Sequence, residues 1–221
     1  MKKTKLDKIF TIGLFAVGIG IIIYHFATYF STGRHYSMVL GLQMILGLVV
    51  IIVPQLVYKI FKIEMAPLLR YLYWTFIFFA VFIGTGLEMY GKIFLWDKLL
   101  HLTSAMLLCS VGYALIGYFI SEEVVNKINP IIITIFAFMF AVAVGAFWEM
   151  YEFTGDGFFN LNMQRYMKAG VPFIGRVALY DTMSDMFVNT LGALIYAIVI
   201  HLKLRKEPEV LLEIAFKKDK K

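Results

Sequence analysis

The sequence predicts an all-α, polytopic membrane protein with six transmembrane helices and cytoplasmic N and C termini. Three observations predict it. Apolar residues fill 61% of the 221 positions and charged residues only 16%, against ~25% charged in an ordinary soluble domain. A soluble globule this small leaves a large share of its surface in water and cannot hide so much apolar side chain. The apolar residues fall in six runs, each long enough to cross ~30 Å of hydrocarbon as helix. No alternating barrel pattern is present, and only helices or closed barrels satisfy their backbone in lipid. The same composition excludes a disordered chain and a nucleic-acid-binding domain. The single cysteine, Cys109, excludes an internal disulfide and a thiolate metal centre.

The spans are read at about 9–30, 38–61, 68–87, 99–120, 131–153 and 182–202. The first follows a basic start (Lys2, Lys3, Lys5, Lys8). It is longer than a signal-peptide core and no A-x-A cleavage pattern follows, so it is taken as a membrane helix. Its Gly13, Gly18 and Gly20 read as helix-packing positions, and His25 as a satisfied interior histidine. Pro54 kinks the second span. Trp74, Trp96 and Trp148 fit interfacial belts. Residues 1–202 form one six-helix domain. Residues 203–221 form a basic, solvated cytoplasmic tail, with a short interfacial helix over Glu209–Phe216 as the alternative reading.

Orientation rests on the basic residues, which favour the cytoplasmic side. Fifteen of the 21 fall on one side, at the N-terminus, at Lys59, Lys62, Arg70 and Lys127, and in the tail. The other six are Arg34, Lys92, Lys98, Arg165, Lys168 and Arg176. A bacterial plasma (inner) membrane is the expected location, with membrane lipids as partners. Two outward connections follow, a short one at Glu88–Lys98 and a long one at Thr154–Asp181. A connection as long as the second is usually functional or disordered, and its aromatics argue for a lid or a re-entrant piece.

The acids carry the functional signal. The seven outer carboxylates are Glu88, Asp97, Glu149, Glu152, Asp156, Asp181 and Asp185, all near the outer ends of spans three to six. Asp97 and His101 are four apart and share a helix face. Glu149, Glu152 and Asp156 are spaced i, i+3, i+7, and Asp181, Asp185 and Asn189 are spaced i, i+4, i+8. Charged side chains in membrane helices face the bundle interior or a water cavity and find partners. Four helix ends, Glu88 included, are therefore expected to converge on one outward pocket. Like charges that close need a metal, cationic partners or shared protons.

Three stretches carry a resemblance: W-D-K-L-L-H (Trp96–His101), W-E-M-Y-E (Trp148–Glu152) and D-T-M-S-D-M-F-V-N-T-L-G-A-L (Asp181–Leu194). They resemble the uncharacterised bacterial membrane family typified by YjdF, as does N-L-N-M-Q (Asn160–Gln164). More distantly they resemble the VanZ-like proteins linked to teicoplanin resistance, whose pattern matches Asp97, Lys98 and His101, then Glu149 and Glu152, then Asp185, Asn189, Gly192 and Ala193. The likeness covers about Leu87 to Ile200 and makes spans one and two additions to a four-helix core. Glu152 departs from the VanZ-like pattern, where glutamine is common. The resemblance implies a bacterial plasma-membrane protein and no settled activity.

Three functions are weighed. The first is metal-dependent hydrolysis or transfer on a lipid or lipid-linked envelope precursor. Asp97, His101, Glu149 and Asp185 would hold Mg²⁺, Mn²⁺ or Zn²⁺, a choice that follows from oxygen and imidazole donors without thiolate. Glu149, Glu152 and Asp181 would do the acid–base work. Asn189, Lys98, Arg165, Arg176, Gln164 and Glu88 would bind the substrate. The alternative is a non-enzymatic binding or resistance protein that recognises an extracellular headgroup or glycopeptide. An ion-coupled transporter ranks third, because the inner halves of spans four and five offer no ionisable relay.

Overall fold

The computed structural model describes residues 4–93 and 95–218. Lys2, Lys3, Lys220 and Lys221, counted above among the basic residues, lie outside the described residues. The six expected spans are present as helices. They are α1 (Lys5–Thr32), the bent pair α2 (His35–Ile51) and α3 (Val53–Phe61), α4 (Pro67–Ile77) continued by a π-helix (Phe78–Gly86), α6 (Trp96–Phe119), α8 (Pro130–Phe159) and α9 (Tyr180–Leu204). Short helices α5 (Met89–Lys92), α7 (Glu122–Val125) and α10 (Val210–Ile214) lie between or after them. The chain divides into two compact units, Met1–Leu100 with Phe216–Lys221, and His101–Ala215.

The first unit is held by α1, α2, α4 and the π-helix around Leu14, Ile21, Met44, Ile51, Trp74, Ile77 and Phe82. The bend between α2 and α3 is 43°, and its cause is Pro54. Proline has no N–H for the carbonyl four residues back and crowds it. That carbonyl, Val50 O, instead accepts from Tyr73 Oη at 2.6 Å. Its neighbour Ile51 O accepts from Trp74 Nε1 at 2.9 Å. The expected interfacial Trp74 is thus fully buried, because an indole N–H is needed where the kink frees a carbonyl. His25 is interior but only half satisfied: its Nε2 is 2.7 Å from Gly86 O at the end of the π-helix, and its buried Nδ1 has no hydrogen-bond partner among the described residues.

Two of the three glycines of the first span do not pack as expected. Only Gly18 is crowded, by Leu48 and Phe82; nothing lies within 4 Å of a β-carbon built at Gly13 or Gly20. At the start of α1, Thr4 and Asp7 form a reciprocal capping box. Arg70 of α4 donates to both Asp7 oxygens at 2.9 Å, and both residues are buried. A charge pair taken this far out of water persists only with close contact and further hydrogen bonds; one nitrogen, Arg70 Nη2, serves both oxygens, and Nη1 donates to Met65 O at 3.3 Å.

The second unit is built on α6, α8 and α9. Its core is lined by Ala105, Cys109, Tyr113, Ala137, Ala141, Ala193 and Ala197 among others. Small residues let the helix backbones approach closely. A β-carbon at Gly112 would press on the backbone of Ala137, and one at Gly192 would collide with the Leu102 carbonyl. Tyr113 Oη closes the seam by donating to Ala197 O at 3.2 Å.

Two boundaries differ from the sequence reading. Helix α8 continues to Phe159, so the long connection shortens to residues 160–179. The expected solvated tail is anchored from Val210 to Ala215. Leu211 and Ala215 are buried, and both lie against Gly117, where there is no side chain to keep them out. In the first unit, the strand β4 (Lys217–Lys218) pairs antiparallel with β1 (Ile63–Glu64).

Candidate functional site

Helices α8 and α9 run antiparallel. Thr134 Oγ1 of α8 is 3.1 Å from His201 Nδ1 of α9. Eleven residues further along α8, Gly145 meets Asn189. Beyond the end of α8, Gln164 Nε2 donates to Thr182 Oγ1 at 2.8 Å. One turn past Gly145 stands Glu149, and one turn before Asn189 stands Asp185, so helical periodicity brings the two carboxylates to one level of the seam. Both are buried. His101 of α6 meets the same level, its Nε2 3.7 Å from Asp185 Oδ1.

Helix α6 runs unbroken from Trp96, so Asp97, one turn before His101, is carried on the same rod. Its side chain is 13% exposed and 3.6 Å from Lys98 Nζ. Among the described residues, Asp97, His101 and Asp185 form the one group able to hold a metal ion, each offering a ligand atom within 4.8 Å of the others. A buried acidic and histidine cluster therefore exists where the first and third motif stretches meet.

The helix dipoles divide the acids into two classes. Asp97 and Asp181 lie in the first turns of α6 and α9, where the positive helix end favours a carboxylate. Asp156 lies in the last turn of α8, where the carbonyl end disfavours one, whereas Glu149 and Glu152 stand about two to three turns before that end. Compensating donors are present. Asp156 accepts the backbone N–H groups of Met163 at 2.7 Å and Gln164 at 3.0 Å. Glu152 accepts from Trp148 Nε1 at 2.8 Å. Asp181 has Arg165 Nη1 at 3.7 Å, presented by a residue with φ of 46°.

The remaining candidates separate. Asn189 donates across the seam to Ala141 O at 3.5 Å. Glu88 pairs with Arg34 Nη2 at 3.0 Å within the first unit, both partly exposed. Arg176 is exposed on the turn Gly175–Val177. Sequence reasoning missed Thr182 as the anchor for Gln164 and Trp148 as the donor to Glu152. The second had a visible signal, since Trp148 and Glu152 are four apart on one helix.

A helical chain with this many apolar spans is a multi-pass integral membrane protein, and a bacterial plasma membrane fits it. The chain belongs to the family described as "Predicted membrane protein (DUF2238)", whose profile matches residues 11–206. An uncharacterised protein of Thermotoga maritima is similar, 29% identical over 133 residues, or 58% of this chain. The match likewise spans 58% of that relative's length. No solved structure matches. The assignment agrees with the resemblance to an uncharacterised membrane family; the VanZ-like likeness rests on the motif residues alone.

Proposed function

We propose that the cluster is a divalent-cation site serving hydrolysis or transfer on a lipid or lipid-linked envelope precursor, and that it faces the outer side of a bacterial plasma membrane. The carrying observation is the mutual approach of Asp97, His101 and Asp185. The His101–Asp185 separation of 3.7 Å is near the roughly 3.4 Å between two ligands of a tetrahedral ion at about 2.1 Å. Three protein ligands leave coordination positions for water and substrate, as catalytic sites require. One imidazole and two carboxylates suit Zn²⁺, Mn²⁺ or Mg²⁺, with Glu149 as a further ligand.

A bound cation would make a water or a phosphoryl oxygen more reactive. The chain's own residues do the rest. Glu149, Glu152 and Asp181 supply carboxylates for proton transfer. Lys98 and Arg165 supply cations at the rim for an anionic headgroup. The outward orientation is supported by the distribution of Lys and Arg.

The test is elemental analysis of purified full-length protein beside His101→Ala and Asp185→Asn, each checked for helicity and elution volume. A near-stoichiometric metal in the parent, lost in both variants, supports the site. Equal metal content in all three removes it. The second reading, recognition of a headgroup or glycopeptide without chemistry, draws on Arg165, whose guanidinium is partly exposed beside Asp181. It predicts ligand binding that survives chelation.

A further inference from the structure

The connection from α8 to α9 is a built element. Asn160 ends α8 in the left-handed conformation, with φ of 54°. The chain then folds back onto Asp156 through two backbone N–H groups. Strands β2 (Met167–Lys168) and β3 (Val171–Pro172) form an antiparallel hairpin. Its two turn residues, Ala169 and Gly170, both have positive φ, 51° and 78°, as the tightest right-twisted hairpins require. The ladder continues to a bond from Phe173 N to Tyr166 O at 2.8 Å. Asn162 staples the base, its amide giving and taking hydrogen bonds with the backbone of Met167.

What this hairpin displays is unlike a water-facing loop. Val171 is 67% exposed and Ile174 90% exposed, followed by exposed Val177 and Leu179. Soluble surfaces seldom gather such a patch without a partner. Phe158 and Phe159, where the connection leaves α8, are exposed as well. Between Asn160 and Leu179 the chain carries three cations, Arg165, Lys168 and Arg176, and no carboxylate. Both ends of the connection join helices that span the bilayer. Apolar side chains beside unbalanced positive charge suit the boundary between acyl chains and anionic headgroups.

We infer that residues 160–179 form an interfacial anchor. The hairpin lies in the headgroup layer at the acid-bearing end of α8 and α9. Val171 and Ile174 enter the acyl region, and Lys168 and Arg176 sit against the phosphates of anionic phospholipid. The partner is the lipid surface, and the anchor stands whether or not the carboxylate cluster binds a metal.

The test places an environment-sensitive fluorophore at Val171→Cys or Ile174→Cys of the full chain. Both positions are exposed, so neither change disturbs packing. Wild-type protein taken through the same labelling gives the background from buried Cys109. Glu207→Cys, on the exposed connection after α9, is the water-facing reference. The protein is placed in lipid nanodiscs of three parts phosphatidylethanolamine to one part phosphatidylglycerol. The expected result is blue-shifted emission at 171 and 174, quenched by lipids spin-labelled near the glycerol end and shielded from aqueous iodide. In discs of phosphatidylcholine alone the lipid quenching weakens. Iodide quenching equal to that at Glu207→Cys overturns the inference. So does shielding from both quenchers, which would mean a protein partner. Equal lipid quenching in both discs overturns the phosphate contact.

Discussion

Gly145 of α8 lies directly against the side-chain amide of Asn189 on α9, with no space between them for a β-carbon. The missing side chain lets Asn189 sit inside the bundle and reach the Ala141 carbonyl. Asn189 thereby sets the α8–α9 register one turn below Asp185 and Glu149. The glycine and the asparagine together position the carboxylates above them.

Gly145→Ala should therefore destabilise the protein by roughly 1–3 kcal/mol, the usual cost of overpacking. Thermal unfolding in detergent reads this directly. Gly13→Ala and Gly20→Ala, where nothing lies within 4 Å, should leave the midpoint almost unchanged. A similar loss in all three would mean that contact with Asn189 is not responsible, because the higher helix propensity of alanine by itself can only raise the midpoint.

Adding the proper divalent cation should raise the unfolding midpoint of the parent. At a concentration of one hundred times Kd the gain is about 2.7 kcal/mol. Asp185→Asn should abolish the rise, and Glu88→Gln should not, because Glu88 pairs with Arg34 instead. A midpoint that rises equally in Asp185→Asn would point to unspecific screening.

The buried Asp7–Arg70 pair should behave as a coupled unit. Asp7→Asn or Arg70→Met alone leaves a charge or donor buried without its partner, at a cost of about 3–5 kcal/mol. The double variant should cost less than the sum of the two. Strict additivity in that double-mutant cycle would show that the two residues act independently.

At the kink, Tyr73→Phe should cost roughly 1–3 kcal/mol, because Val50 O loses its donor. In a Pro54→Ala background the same change should cost less, since an alanine N–H can take that carbonyl. An undiminished cost would show that the hydroxyl has another role.

The spans were legible because twenty apolar residues in a row leave the backbone few alternatives, and the bend was legible because Pro54 sits inside such a run. The helix faces of Asp97 and His101, and of Asp181, Asp185 and Asn189, followed from periodicity alone. Pairings between distant segments were not legible. Arg70 read as one more cytoplasmic charge, although it is neutralised by Asp7, 63 positions away. Glu88 read as a member of the outer cluster until Arg34 was found beside it. Trp74 read as an interfacial anchor, because only the packed helices show which carbonyl the proline has released. The length of α8 was misread because Gly155 and Gly157 look like loop residues. In place, Thr154 bonds back to the Met150 carbonyl at 2.6 Å, and the helix carries Asp156 to its anchoring contacts.

Helix α8 is 30 residues long, about 45 Å at 1.5 Å per residue, whereas the hydrocarbon layer measures ~30 Å. Its uncharged stretch ends at Trp148, so the turn bearing Glu149 and Glu152 falls at the edge of that layer. Acyl-chain length then becomes a control on the protein. A thinner bilayer lifts those acids toward water, and a thicker one draws them under or tilts the helix. Membrane thickness thus sets how wet the carboxylates are without any change in the protein's own contacts.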